Sequence, residues 1–185
     1  MIKKKLLLSA VFFTILALIV GVTLVQTRFP VRHLDLIEKH AGNFEPAFVL
    51  AVIHTESSFR SDAVSRAGAM GLMQIMEPTG EWIAQMMGFD DYNKSLLFEP
   101  ETNIVLGTYF LNWLWRYFDG DKTLILSGYN AGIGNVRQWL ADERFSVDGL
   151  TLSHIPFPET YNYVQRVEQR TQIYSAILWV HSWFR

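Results

Sequence analysis

Cysteine is absent from the 185 residues. That excludes a disulfide framework, a thiolate-ligated zinc or iron–sulfur site and a lipid-modified cysteine. Proline is scarce, at six residues, and no Pro- or Ser-rich stretch marks a linker. Internal repeats and low-complexity tracts are missing too, so neither a solenoid nor a module with a long tail is expected. Charge is thin. Only 18% of residues are charged and the formal net charge is -2, which leaves no polycationic surface for nucleic acid. Half of the residues are hydrophobic, and that excludes intrinsic disorder.

The apolar residues are unevenly placed. Leu6 to Val25 form an uncharged run with Ser9, Thr14 and Thr23 as its polar members. As a helix the run is about 30 Å long, the hydrocarbon thickness of a bilayer. Lys3, Lys4 and Lys5 precede it, so the positive-inside rule puts the N-terminus in the cytoplasm and everything after Thr27 outside. A cleaved signal peptide is the alternative, but its apolar region is usually about 7–15 residues and ends in small residues. Here the run closes on Thr23-Leu24-Val25-Gln26-Thr27, a poor cleavage site. The expectation is a Lys-rich start and membrane anchor over 1–28, then one external domain over 29–185. Without the three lysines that domain is more acidic than the whole chain.

Helical spacing dominates the external part. Val31–His40 forms one short helix. Pro46 suits a first turn, with Ala47 to Ile53 behind it. Pro100 opens another helix, with Ile104, Leu111, Leu114, Trp115 and Phe118 on an apolar face and Gly120 at its end. Leu124–Tyr129 and Asn135–Leu140 are shorter, and a final helix runs from Pro158 towards Trp179. Residues 59–80, rich in Ser, Gly and Ala, read as loop, and no strand alternation persists. The fold class is mainly α. The aromatic cluster Tyr109, Phe110, Trp113, Trp115, Tyr117 and Phe118 is assigned mostly to the core, and Met70, Met73 and Met76 to irregular gaps. Trp82 and Trp139 are the candidates for a sugar platform.

Glu56 is the informative residue. Ile53, Val52 and Val49 lie three, four and seven positions before it, which places it on the apolar face of its helix. Desolvation there raises a carboxyl pKa, as a general acid requires. The bland alternative is a helix-terminal glutamate turned to solvent or paired with Arg60. His54 and Glu56 lack the H-E-x-x-H spacing of a zinc protease, His54 is expected on a flanking face, and no metal or cofactor is expected. Gly128 to Gly134 lacks a dinucleotide context, and Ser57 and Ser58 lack a nucleophile elbow.

Four segments then fall in order: Glu56-Ser57-Ser58-Phe59 with Ser65; Gly68-Ala69-Met70-Gly71-Leu72-Met73-Gln74-Ile75-Met76; Gly128-Tyr129-Asn130-Ala131-Gly132; and Ile155 to Val164. Together they resemble the SLT-type, goose-lysozyme-like lytic transglycosylases, which cut bacterial peptidoglycan. The resemblance runs from about Ala41 to Val180. It implies a lysozyme-like helical fold with a cleft for the glycan strand, and Glu56 as the single acid/base. It further implies substrate contacts from Ser65, Gln74, Met76, Tyr129, Asn130, Glu159 and Tyr163. Two positions depart from the pattern: Gly128 replaces the usual alanine, and Tyr161 the usual arginine after Glu159-Thr160.

The implied activity is cleavage of the MurNAc–GlcNAc β-1,4 bond with formation of a 1,6-anhydro end, by a domain held outside the cytoplasmic membrane. Its partners are glycan strands and, through the anchor, the membrane. Cell-wall synthesis or secretion complexes leave no signature in the chain. A goose-type hydrolase is an alternative, and needs a second carboxylate such as Asp62, Asp90 or Asp91 to activate water. A non-catalytic glycan-binding scaffold is another, disfavoured because a pure binder gains nothing from a buried acid.

Overall fold

The computed structural model describes residues 2–183, with side chains from residue 12 onward. The chain divides into two compact units, Met1–Arg32 and His33–Arg185. The first is one helix, α1 (Ile2–Arg28). Part of the expected anchor, residues 6–11, has side chains outside the described set. Among the described residues no helix is long and apolar enough to cross a membrane.

The second unit is mainly α: α2 (Leu34–His40), α3 (Pro46–Glu56), α4 (Glu77–Met87), α5 (Pro100–Tyr117), α6 (Lys122–Ala131), α7 (Ile133–Leu140) and α8 (Pro158–Ser182), with a 3-10 turn at Lys94–Phe98. Proline stands in the first turn of α3, α4, α5 and α8, where its missing N–H and fixed φ cost nothing. Side-chain caps start two elements: Asp121 accepts from Leu124 N and Asn93 from Ser95 N. Helix α2 is shorter than its sequence pattern, beginning at Leu34 because His33 takes a left-handed φ of 58°. The residues read as loop include the first turn of α4, which begins at Glu77.

Helix α3 is the centre of the unit. Every residue from Ala47 to His54 is buried, with α8 lying along it and α2 against it. His54 is therefore in the core, not on a flanking face, because α8 covers that side. Its Nδ1 shares a hydrogen bond of 3.0 Å with the Tyr174 hydroxyl of α8. Beside it the Arg170 guanidinium donates to the Thr55 hydroxyl at 2.8 Å.

Residues 57–76 form an irregular loop. Isolated antiparallel backbone bridges join Val64 to Met70 and Met70 to Ile75. The fully buried Asn103 of α5 holds this loop down. Its side-chain oxygen accepts from Met73 N at 2.7 Å, and its amide donates to Met70 O at 3.0 Å and Leu97 O at 2.7 Å. Gly71, at φ 77°, sits so tightly beneath that a Cβ would collide with Leu97 O and the Asn103 amide. A second close approach occurs at Gly128, where a Cβ would lie 2.8 Å from the Phe118 ring. The glycine in place of the family's usual alanine makes room for that ring.

Asn103→Ala should strand two buried backbone groups at once, Met73 N and Leu97 O, while Met70 O keeps its bond from Ile75 N. Each unsatisfied group costs about 1–3 kcal/mol, so urea unfolding should show a loss of at least about 2–4 kcal/mol. A loss below about 1 kcal/mol would mean that the loop holds its shape without the amide.

Candidate active site

The chain leaves α3 abruptly after Glu56. Ser57 closes the helix, and Ser58 and Phe59 take left-handed φ values of 53° and 62°, a conformation costing roughly 1–2 kcal/mol per non-glycine residue. The phenylalanine ring is buried, which supplies the compensation. Glu56 is thus left half-buried at the mouth of the core. Burial is the largest influence on its carboxyl and pushes its pKa up to about 7, against the opposing pulls of the Tyr163 hydroxyl and the Arg166 charge. Neither of those groups is a carboxylate. Asp62, Asp90 and Asp91 are all exposed.

Two tyrosines complete the group. Tyr163 of α8 is buried. Its hydroxyl acts on the Glu56 carboxyl but, among the described residues, meets ordinary hydrogen-bond geometry with no group. Tyr129 of α6 donates its hydroxyl to Met73 O at 2.7 Å. Burial first, and the Glu56 charge second, raise both phenols well above their ordinary pKa. Glu56, Tyr129 and Tyr163 therefore form one electrostatic group, drawn from α3, α6 and α8.

The other expected residues surround it at varying remove. Ser65 is half-buried and its hydroxyl oxygen accepts from Ala69 N at 3.0 Å. Gln74, at φ 49°, donates its amide to Ala63 O at 3.1 Å and Gly71 O at 2.9 Å, so it braces the loop. Met76, 40% exposed, precedes α4. The Asn130 oxygen accepts from the Thr160 hydroxyl at 2.8 Å, tying the end of α6 to the start of α8. Glu159 is exposed in the first turn of α8, and no described hydrogen bond or ion pair joins it to Glu56. Trp139 does not form a platform: it is buried, with its ring 4.9 Å from that of Phe157. Among the described residues no group of three or more His, Asp or Glu is placed to hold a metal ion.

Sequence reasoning missed Asn103, Thr160 and Arg166. Only Arg166 carried a signal, standing three residues after Tyr163 on the same face of α8.

Residues 36–148 match the family model of the transglycosylase SLT domain. The chain belongs to the SLT family. The match takes in Glu56, Ser65, Gln74, Met76, Tyr129 and Asn130, while Glu159 and Tyr163 lie beyond its end. The soluble lytic murein transglycosylase of Salmonella typhimurium is 34% identical over 146 residues, covering 77% of this chain and 23% of the relative. The membrane-bound lytic murein transglycosylase C of Yersinia pestis is 35% identical over 116 residues, covering 57% of this chain and 32% of the relative. Among solved structures, an inactive mutant of the lytic transglycosylase Slt from Pseudomonas aeruginosa superposes with a TM-score of 0.72 at 34% identity, over 83% of this chain and 25% of that one. The 70-kDa soluble lytic transglycosylase of Escherichia coli gives 0.73 at 29%, over 83% and 26%. The SLT chain thus spans about a quarter to a third of the length of these relatives.

The raised pKa of Glu56 has a consequence for stability. An unfolded chain releases this proton near 4.5, the folded one near 7. Ionisation therefore costs the folded state nothing below about pH 4.5; the cost grows as pH rises to about 7, then levels off at something on the order of 3 kcal/mol. Glu56→Gln carries no such cost. Urea unfolding should show it equal to wild type near pH 4 and more stable by that amount at pH 8. A difference independent of pH would mean that the carboxyl is solvated.

Proposed function

We propose that the SLT domain is a peptidoglycan lytic transglycosylase that cleaves the MurNAc–GlcNAc β-1,4 bond and leaves a 1,6-anhydro-MurNAc end. The observation that carries this reading is a lone carboxyl of pKa about 7, acted on by a tyrosine and an arginine and by no second acid. Glycosidases generally pair two carboxylates. With one, the reaction must return to it the proton that it gives.

Near neutral pH Glu56 is substantially protonated and donates to the glycosidic oxygen as the bond to C1 breaks. The electron-poor C1 is met by the substrate's own N-acetyl oxygen. Glu56, now charged, is steadied by the Tyr163 hydroxyl and Arg166. It then takes the proton of the C6 hydroxyl as that oxygen attacks C1. The ring closes, Glu56 is protonated again, and no water is consumed. Intramolecular attack in a well-oriented site has an effective molarity on the order of 10⁵ M or more, which water at about 55 M without a positioned base does not match. Tyr129, Ser65, Gln74, Met76, Asn130 and Glu159 are proposed to line the path of the strand.

Glu56→Gln should lower turnover by about 10²–10⁴-fold, and wild-type kcat/KM should fall about tenfold per pH unit above about 7. Digestion of peptidoglycan in ¹⁸O-labelled water should give anhydro-ended muropeptides without label at C1. Labelled reducing ends would establish hydrolysis of the goose-lysozyme kind.

The domain is further proposed to work outside the cytoplasmic membrane, tethered by the apolar run from Leu6 to Val25 with the lysines at 3–5 on the cytoplasmic side. Support comes from length and charge asymmetry in the sequence. Full-length protein should fractionate with membranes, its C-terminal domain open to protease from outside. A shortened, freely soluble main species would indicate cleavage of the segment.

A further inference from the structure

Helix α5 carries two different apolar faces. Ile104, Leu111 and Leu114 are buried, with Phe118 just beyond the helix. Phe110, Trp113 and Tyr117, at i, i+3 and i+7, lie on another face and are not in the core. The expectation from sequence that most of the six aromatics pack in the core is thus incorrect, since only Phe118 of them is buried: α5 is aromatic on more of its circumference than the core covers. Their rings follow one another near-parallel, with centroids 6.4 Å apart at 25° and then 5.0 Å apart at 17°. Trp82 of α4 stands edge-on, 6.1 Å from Phe110 and 5.2 Å from Trp113. Trp82, Phe110 and Trp113 are half-buried, and Tyr117 is 42% exposed.

The stripe is continuous with the Glu56 group. Phe110 lies 5.4 Å from the ring of Tyr129, whose hydroxyl sits on Met73 O and whose ionisation is opposed by the Glu56 charge. From there the rings lead along α5 for seven residues, about 10 Å, which is more than one sugar ring. A contiguous aromatic surface of this kind on a soluble domain marks a binding site.

We propose that Trp82, Trp113 and Tyr117 form an accessory strip that binds the polysaccharide strand beyond the sugars flanking Glu56. The proposal rests on the peptidoglycan reading above. Its chemistry suits a glycan: flat rings meet the apolar C–H faces of sugars, while the indole N–H and phenol O–H groups meet the hydroxyl rim. Aliphatic side chains, which a protein-binding patch would also offer, are turned inward on this helix as Leu111 and Leu114.

Glu56→Gln protein titrated calorimetrically with chito-oligosaccharides tests the strip without cleavage. Affinity should rise from disaccharide to hexasaccharide. Tyr117→Ala and Trp113→Phe, each added to that background, should remove about tenfold of the rise and leave disaccharide affinity unchanged. In active enzyme the same changes should raise KM for long strands by a similar factor while kcat holds. Tyr117 is exposed enough that its truncation leaves the fold intact, and an unchanged Tm confirms this for both variants. Length dependence unaltered in both folded variants overturns the strip, and assigns the stripe to packing or a protein partner. If wild type releases no muropeptide at all, the transglycosylase reading fails first. Cleavage that persists with unaltered length dependence removes only the strip.

Discussion

A helix buried on every side has one way to present a charged residue, and that is at its end. Helix α3 is enclosed from Ala47 to His54, chiefly by α8, so Glu56 meets solvent only where the chain turns out. The same enclosure raises its pKa, because water is kept from most of the carboxyl's surroundings. Tyr163, Arg166, Arg170 and Tyr174 all belong to α8. One long helix therefore desolvates the acid, supplies the groups that steady its charge and fastens the preceding turn through Thr55 and His54. Changes along α8 should be felt at Glu56 even where they touch no substrate.

The segment that follows Glu56 is irregular backbone. Residues 57–76 have little regular structure, and three of them, Ser58, Phe59 and Gln74, adopt left-handed φ without being glycine. A loop with such local cost needs anchorage. Asn103 supplies it with two hydrogen bonds from the core side, to Met73 and Met70, and Gln74 with two from within. Tyr129 then fastens the loop to α6 through Met73 O.

Much of this was legible beforehand, for identifiable reasons. Prolines in first turns and apolar spacing located α3, α5 and α8 to within a few residues. Glu56 stood out because a carboxylate interrupts an apolar pattern. The inference about its face was right for an incomplete reason, since α3 has no polar face at all. Asn103 was invisible because a single asparagine among Thr102, Ile104 and Val105 looks like a surface residue; only the loop and the 3-10 turn folding onto it reveal three backbone partners. The aromatic residues of α5 misled because helical spacing shows which rings share a face but not whether anything covers that face. The glycine at position 128 gives no hint in sequence of its reason, which is the Phe118 ring filling the space of the missing methyl.

The hydrogen bonds of Tyr129 and Gln74 also leave these two side chains with one polarity. A phenol has one proton, and Tyr129 gives it to Met73 O. A primary amide has two on its nitrogen, and Gln74 gives both to backbone carbonyls. What these two side chains retain is lone pairs. A ligand group lying against these two side chains would therefore meet acceptors alone, and would have to bring its own O–H or N–H.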